Sequence, residues 1–140
     1  MELKGIVAVT GRPGLFKIIS RGNNTIIVEN LYDKKRIPIT ARQQVNSLEE
    51  IGIYTIEETV PLADIFNIIA KKEDYSESIS HKLDNKELKE YFTEILPNYD
   101  KDRVYMSDIK KVILWYNILQ KADIIKLSNS EKESKDKKVS

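Results

Sequence analysis

The sequence predicts an α+β protein, a small SH3-like β-barrel followed by a short helical module. Three observations lead there. Over the first 60 residues, short runs rich in β-branched residues alternate with turns built from Gly, Asn and Pro, the pattern of a small all-β unit. After Val60 the apolar residues recur every three to four positions, as on one face of a helix. A length of 140 residues accommodates one ordinary domain or two small modules sharing a core. With 41% hydrophobic and 32% charged residues, the chain can build that core and is not globally disordered.

The strands follow in order. Residues 5–10 form an apolar run that ends at Gly11-Arg12-Pro13-Gly14, where glycine permits unusual dihedrals and proline fixes one. Residues 15–20 are a second strand, and Arg21-Gly22-Asn23-Asn24 is a hairpin signal because Gly and Asn tolerate positive φ. Residues 25–31 make the third strand. Beyond the turn at Tyr32-Asp33-Lys34-Lys35, Ile37 and Ile39 alternate with Arg36, Pro38 and Thr40, a half-buried strand whose proline places it at an edge. Residues 51–56 are expected to supply the fifth strand.

Pro61 suits the opening of a helix, with Leu62, Ile65, Phe66 and Ile69 on one face. Residues 71–82 are polar and read as a linker. Asp84 and Glu87 have the spacing of a capping box for a second helix, whose stripe of Leu88, Tyr91, Phe92, Ile95 and Leu96 stops at Pro97. Ser107 is the expected N-cap of a third helix over 108–122. Leu114, Trp115 and Ile118 widen that helix's apolar surface beyond one stripe, so it needs cover on more than one side. The division expected is a barrel with a closing helix over 1–72, a linker over 73–83, a helical module over 84–127 and a disordered tail over 128–140.

Charge is distributed unevenly. Residues 1–45 hold eight Lys/Arg against three acids, a net +5, whereas residues 46–66 hold five acids and no base. Such asymmetry points to a binding surface. Arg12, Lys17, Arg21, Lys34, Lys35, Arg36 and Arg42 are the candidate phosphate contacts, with Phe16, Tyr32 or Tyr54 available to stack on bases. The competing reading is that these cations solubilise hairpins or are neutralised by the acidic segment.

Other chemistries fit poorly. Gly11-Arg12-Pro13-Gly14 lacks the Gly-Lys-Ser/Thr ending of a phosphate-binding loop and precedes a strand, so it reads as a structural turn. Asn98, Asp100 and Asp102 begin like a calcium loop, but Arg103 falls where glycine is required and Ile109 where a bidentate glutamate is required. Capping and charge pairing by Asp100, Asp102 and Asp108 is the better reading. With no cysteine and a single histidine, His81, no zinc site of the usual kind and no nucleophile-base pair can be drawn. No cofactor and no metal are expected. The apolar run at residues 6–9 is too short for a signal-peptide core, and nothing approaches a membrane span of about 20 residues. A cytoplasmic location is expected.

Several of these segments resemble a known family. Residues 11–17 (Gly-Arg-Pro-Gly-Leu-Phe-Lys), 26–31 (Ile-Ile-Val-Glu-Asn-Leu), 48–51 and 53–55 resemble segments of this family, and residues 102–113 with 115–119 look like its C-terminal module. The chain is similar, across most of residues 1–122, to a bacterial family of small two-module cytoplasmic proteins catalogued as a domain of unknown function. The resemblance implies two modules and carries over no catalytic residue. The expectation is therefore a non-catalytic binding protein that contacts RNA, DNA or a nucleoprotein through the basic barrel face. The alternative is a protein-interaction adaptor or homodimer using Leu114, Trp115 and Ile118.

Overall fold

Five short strands, β1 (Ile6–Val9), β2 (Phe16–Gly22), β3 (Thr25–Asn30), β4 (Arg36–Thr40) and β5 (Val45–Ser47), form one antiparallel sheet in the order β4-β3-β2-β1-β5. The computed structural model describes residues 3–40 and 44–125. The expected disordered tail, 128–140, lies outside them, as does Arg42. The β2–β3 hairpin turns on Asn24, whose φ of 56° is the conformation that asparagine tolerates better than most residues. Pro38 lies on β4, at the edge of the sheet, where no neighbour requires its missing N–H.

The sheet is not a closed barrel. Among the described residues no ladder joins β4 to β5, so the two ends of the strand order stay unpaired. The fifth strand is also not the one expected. Val45–Ser47 pairs with β1, from Val9↔Val45 to Val7↔Ser47, and a single 3-10 turn at Leu48–Glu50 ends it. Its three residues are too few and too polar to show a period. Residues 52–54 form β6 (Gly52–Tyr54) instead, paired with β7 (Thr59–Pro61) in a separate hairpin. Glycine is required at position 52, because a Cβ there would sit 2.5 Å from Thr59 Cγ2 and 3.2 Å from the Val60 carbonyl oxygen.

Three helices follow: α1 (Leu62–Lys72), α2 (Asn85–Ile95) and α3 (Met106–Lys121). Leu62, Ile65, Phe66 and Ile69 of α1 are all buried, as their spacing predicts. Asp84 caps α2 by accepting a 2.8 Å hydrogen bond from the Glu87 N–H. The third helix starts two residues earlier than expected. Tyr105 is its N-cap, and Asp108 reaches back to accept from the Tyr105 N–H at 2.9 Å, an ionised acceptor that a serine hydroxyl at 107 does not match.

Residues 73–83, expected as a linker, are strapped across α3 and α2. Asn117 Oδ1 accepts from both the Ser78 N–H and hydroxyl at 2.8 Å, and Asn117 Nδ2 donates to the Ile79 carbonyl at 3.0 Å. The Tyr116 hydroxyl donates to the Ser76 carbonyl and the Tyr91 hydroxyl to Glu73 Oε2. The turn that launches this strap places both Asp74 and Tyr75 at positive φ, and the Tyr75 N–H bonds the Ala70 carbonyl as in a Schellman cap without glycine.

Two apolar clusters result. The larger joins α1, α2 and α3 to Leu3, Ile6, Leu15, Leu31 and Leu48, so the sheet and the helices share a core. The smaller lies inside the sheet and consists of Val7, Val9, Phe16, Val28 and Ile39, edged by Ile18, Ile26, Ile37 and Val45. Ile39 on β4 and Val45 on β5 belong to the same cluster although they sit at opposite ends of the strand order. The sheet therefore curls until its edges face one another.

Candidate nucleic-acid interface and inter-module groove

The β1–β2 loop and the β3–β4 turn lie side by side at one end of the sheet. Asn30 is opposite Phe16, and the Leu31 N–H donates to the Leu15 carbonyl at 3.0 Å. The β3–β4 turn is built by two side chains that mimic backbone. Asn30 Oδ1 accepts from the Tyr32 and Asp33 N–H groups, and Asp33 Oδ1 accepts from the Lys35 N–H at 2.9 Å. Lys34 occupies the left-handed region with φ 64°. This turn holds Tyr32 outward, 86% exposed, beside the exposed side chains of Lys34 and Lys35.

Arg12 is exposed in the neighbouring loop, between Gly11 and Gly14, whose φ values of 85° and 88° only glycine adopts without strain. Arg12, Lys34 and Lys35 make no salt bridge among the described residues. The other cations are placed differently. Lys17, Glu29 and Arg36 form a cross-strand row, and Glu29 Oε1 accepts from Arg36 Nε at 3.2 Å, so one carboxylate sits between two bases. Arg21 stands at the opposite end of β2, beside the hairpin. Phe16 is not available for stacking: at 3% exposure it belongs to the interior of the sheet.

The interaction candidates on α3 are half-buried. Trp115 and Ile118 pack against the larger core, and the strap at 75–79 covers another side of the helix. Leu114 and Trp115 also line a half-open groove of about 530 Å³ between α3 and the sheet module, and Arg12 lies in its opposite wall. The sequence placed Arg12 and Trp115 in competing hypotheses. Folding brings them to one cleft.

Lys111, Arg103 and Tyr54 complete this groove. Lys111 follows from nothing in the local sequence, since it reads as one more solvated position of an amphipathic helix. Tyr54 is tied in through its carbonyl, which accepts from the Asp100 N–H at 2.9 Å, while the Ile56 N–H donates to Asn98. Arg103 stacks 4.4 Å from the centre of the Tyr54 ring and donates from Nε to Asp100 Oδ2 at 2.7 Å. The hydrogen bond from Arg103, followed by that from the Asp102 N–H, holds the Asp100 carboxyl below its ordinary pKa. Asp100 and Asp108 thus pair and cap, as their sequence context suggests. His81 is half-buried. Among the described residues no group of three or more His, Cys, Asp or Glu side chains is arranged to hold a metal ion.

Two family models match the chain. One is a domain of unknown function (DUF5606) over residues 3–48, and the other is a domain of unknown function (DUF6852) over residues 51–119. A solution NMR structure of a structural-genomics target from Bacteroides vulgatus is 46% identical in sequence, with a TM-score of 0.75, over 89% of this chain and 90% of that one. The chain belongs to this two-module bacterial family. No curated protein matches it. The boundary between the two family models falls at residues 48–51, where the 3-10 turn hands the chain from the sheet to the β6–β7 hairpin and the helices.

Proposed function

We propose that this protein is a non-catalytic binding module that contacts RNA, DNA or a nucleoprotein through the loop end of its sheet. The observation that carries the reading is the exposed Tyr32 beside Lys34 and Lys35, with Arg12 on the adjacent loop and no carboxylate bridged to any of the three cations among the described residues. An aromatic ring among unpaired cations is the combination that lets a surface stack on a base while neutralising phosphates. Arg36 contributes less, because Glu29 is bridged to it, and Lys17 lies across the strand from the same carboxylate.

We read the curled sheet as SH3-like. Support comes from a four-strand meander, a fifth strand paired back to the first, and one interior cluster shared by both edges. Action in the cytoplasm is part of the same proposal, supported by the absence of cysteine. Among the described residues no helix is long and apolar enough to cross a membrane. A protein-interaction role for Leu114, Trp115 and Ile118 has less support, since the strap and the larger core already cover much of that helix.

Fluorescence anisotropy with a labelled single-stranded RNA, repeated across a salt series, tests the proposal. Affinity should fall with salt, and replacing Lys34 and Lys35 by Gln should flatten the log-log slope by about 0.7 per lysine. Binding that ignores salt, or an unchanged slope in the variant, removes this reading.

A further inference from the structure

The groove between the modules has the makings of a small-molecule site that shares only the β1–β2 loop, with Arg12, with the loop end of the sheet. Its volume of about 530 Å³ falls within the size range of about 300–1,000 Å³ usual for such sites. Its walls come from segments far apart in sequence: β1 and the β1–β2 loop, β5, β6, the start of α1, the α2–α3 loop and α3. They present apolar surface from Leu114 and Trp115, an aromatic ring from Tyr54, and positive charge from Arg12, Arg103 and Lys111.

The charges are not equivalent. Arg103 is committed to Asp100 and to the Tyr54 ring. Asp108, the carboxylate in the lining, is engaged through Oδ2 with the Tyr105 N–H. Arg12 and Lys111 remain, one from each module, and neither makes a salt bridge among the described residues. Each of the two offers a free charged donor to a phosphate monoester, which carries about −1.5 to −2 at neutral pH. A neutral or cationic ligand would gain nothing from either charge. A simple inorganic anion would leave the apolar wall and the Tyr54 ring without use.

We propose that the inter-module groove binds a small phosphate monoester attached to a planar ring, the chemical class of the mononucleotides, with Arg12 and Lys111 on the phosphate and Trp115 and Tyr54 against the ring. This differs from a phosphate-binding loop. The anion is held by side-chain charge from two modules, and the Gly11 to Gly14 turn serves to place Arg12.

Trp115 is the sole tryptophan, so its emission reports on the groove directly. Titrating the full chain with adenosine 5′-monophosphate should change that emission saturably, and R12Q and K111Q should each weaken binding about tenfold, the loss of one charge-assisted hydrogen bond. Adenosine and inorganic phosphate, each lacking half of the recognition, should bind more weakly than the monophosphate. Amide NMR of the unsubstituted protein supplies a reading independent of the variants, with shifts expected in residues 11–14 and 108–115. No change in emission or amide signals at millimolar monophosphate overturns the proposal, and so does full retention of affinity when both cations are replaced. A K34Q/K35Q variant should lose RNA affinity and keep the Trp115 response, so failure of one site is distinguishable from failure of the other.

Discussion

The sheet and the helices solve the same problem of burial in opposite ways. The helices place Leu62, Ile65, Phe66, Phe92, Ile113 and Tyr116 at 1% exposure or less against one another, in a cluster that reaches into the sheet through Ile6, Leu15 and Leu48. The sheet must fold over itself to bury Val28 and Ile39, and it has five buried apolar residues inside. A small interior leaves little to hold long loops in place, so the loop end is organised by polar means, through Asn30, Asp33 and two glycines at positive φ. The difference separates roles: the helical half supplies most of the buried apolar surface, and the sheet half presents the charged loops.

The largest expected effect tests whether these halves are one cooperative unit. Phe92→Ala should destabilise the protein by about 3–5 kcal/mol and Ile39→Ala by about 2–5 kcal/mol. Because the larger cluster spans both halves, urea unfolding followed by far-UV circular dichroism and by Trp115 fluorescence should give coincident transitions in either variant. An early circular dichroism transition in Ile39→Ala alone would show that the sheet opens independently of the helices.

A pH experiment probes the seam where the strap meets α3. Burial, with Glu73 and Tyr75 nearby, pushes the Tyr116 hydroxyl up to about 12, against about 10 in an unfolded chain. A folded pKa above the unfolded one means that the contribution to stability is complete below pH 10 and is lost as pH rises toward 12. Tyr91 is shifted the same way, by burial and by its bond to Glu73, and adds to the loss in the same direction. Alkaline titration should therefore unfold the protein over that window, and Tyr116→Phe should make the fall less steep. A pH profile unchanged by the substitution would place the alkaline sensitivity elsewhere.

The smallest effect sharpens the comparison at the loop end. Lys34→Gly relieves a left-handed conformation that a lysine adopts at some cost, so stability should rise by about half a kcal/mol while one candidate phosphate contact is lost. A melting curve and the RNA salt series on the same variant would then move in opposite directions. If both fell, the side chain of Lys34 would be holding the turn rather than serving a ligand.

Local chemistry made much of this readable in advance. Asp84 with Glu87, the stripe from Leu62 to Ile69, Asn23-Asn24 and Pro38 each act within a few residues, through a cap, a period, a turn or a missing donor, and the fold uses them that way. Other features depend on partners far along the chain. Val45–Ser47 becomes a strand because β1 offers it an edge, and the 73–83 segment is ordered because Asn117 and Tyr116 hydrogen-bond it. Phe16 turned inward because its place in the alternation of β2 faces the cluster of Val7 and Val28, which its own sequence neighbours do not reveal.

By itself the sequence determined the α+β class, the uneven charge, the helices and their buried faces, and the lack of thiol chemistry, since each follows from composition or from spacings shorter than a few turns. The tertiary structure alone decided that the sheet stays open, that Glu29 bridges Arg36, and that Arg12 and Lys111 share one groove. The reason is physical. Those outcomes depend on strand pairing, on the curl of the sheet and on the packing of α3 against it, which join side chains as far apart in sequence as Arg12 and Lys111, and no local period encodes them.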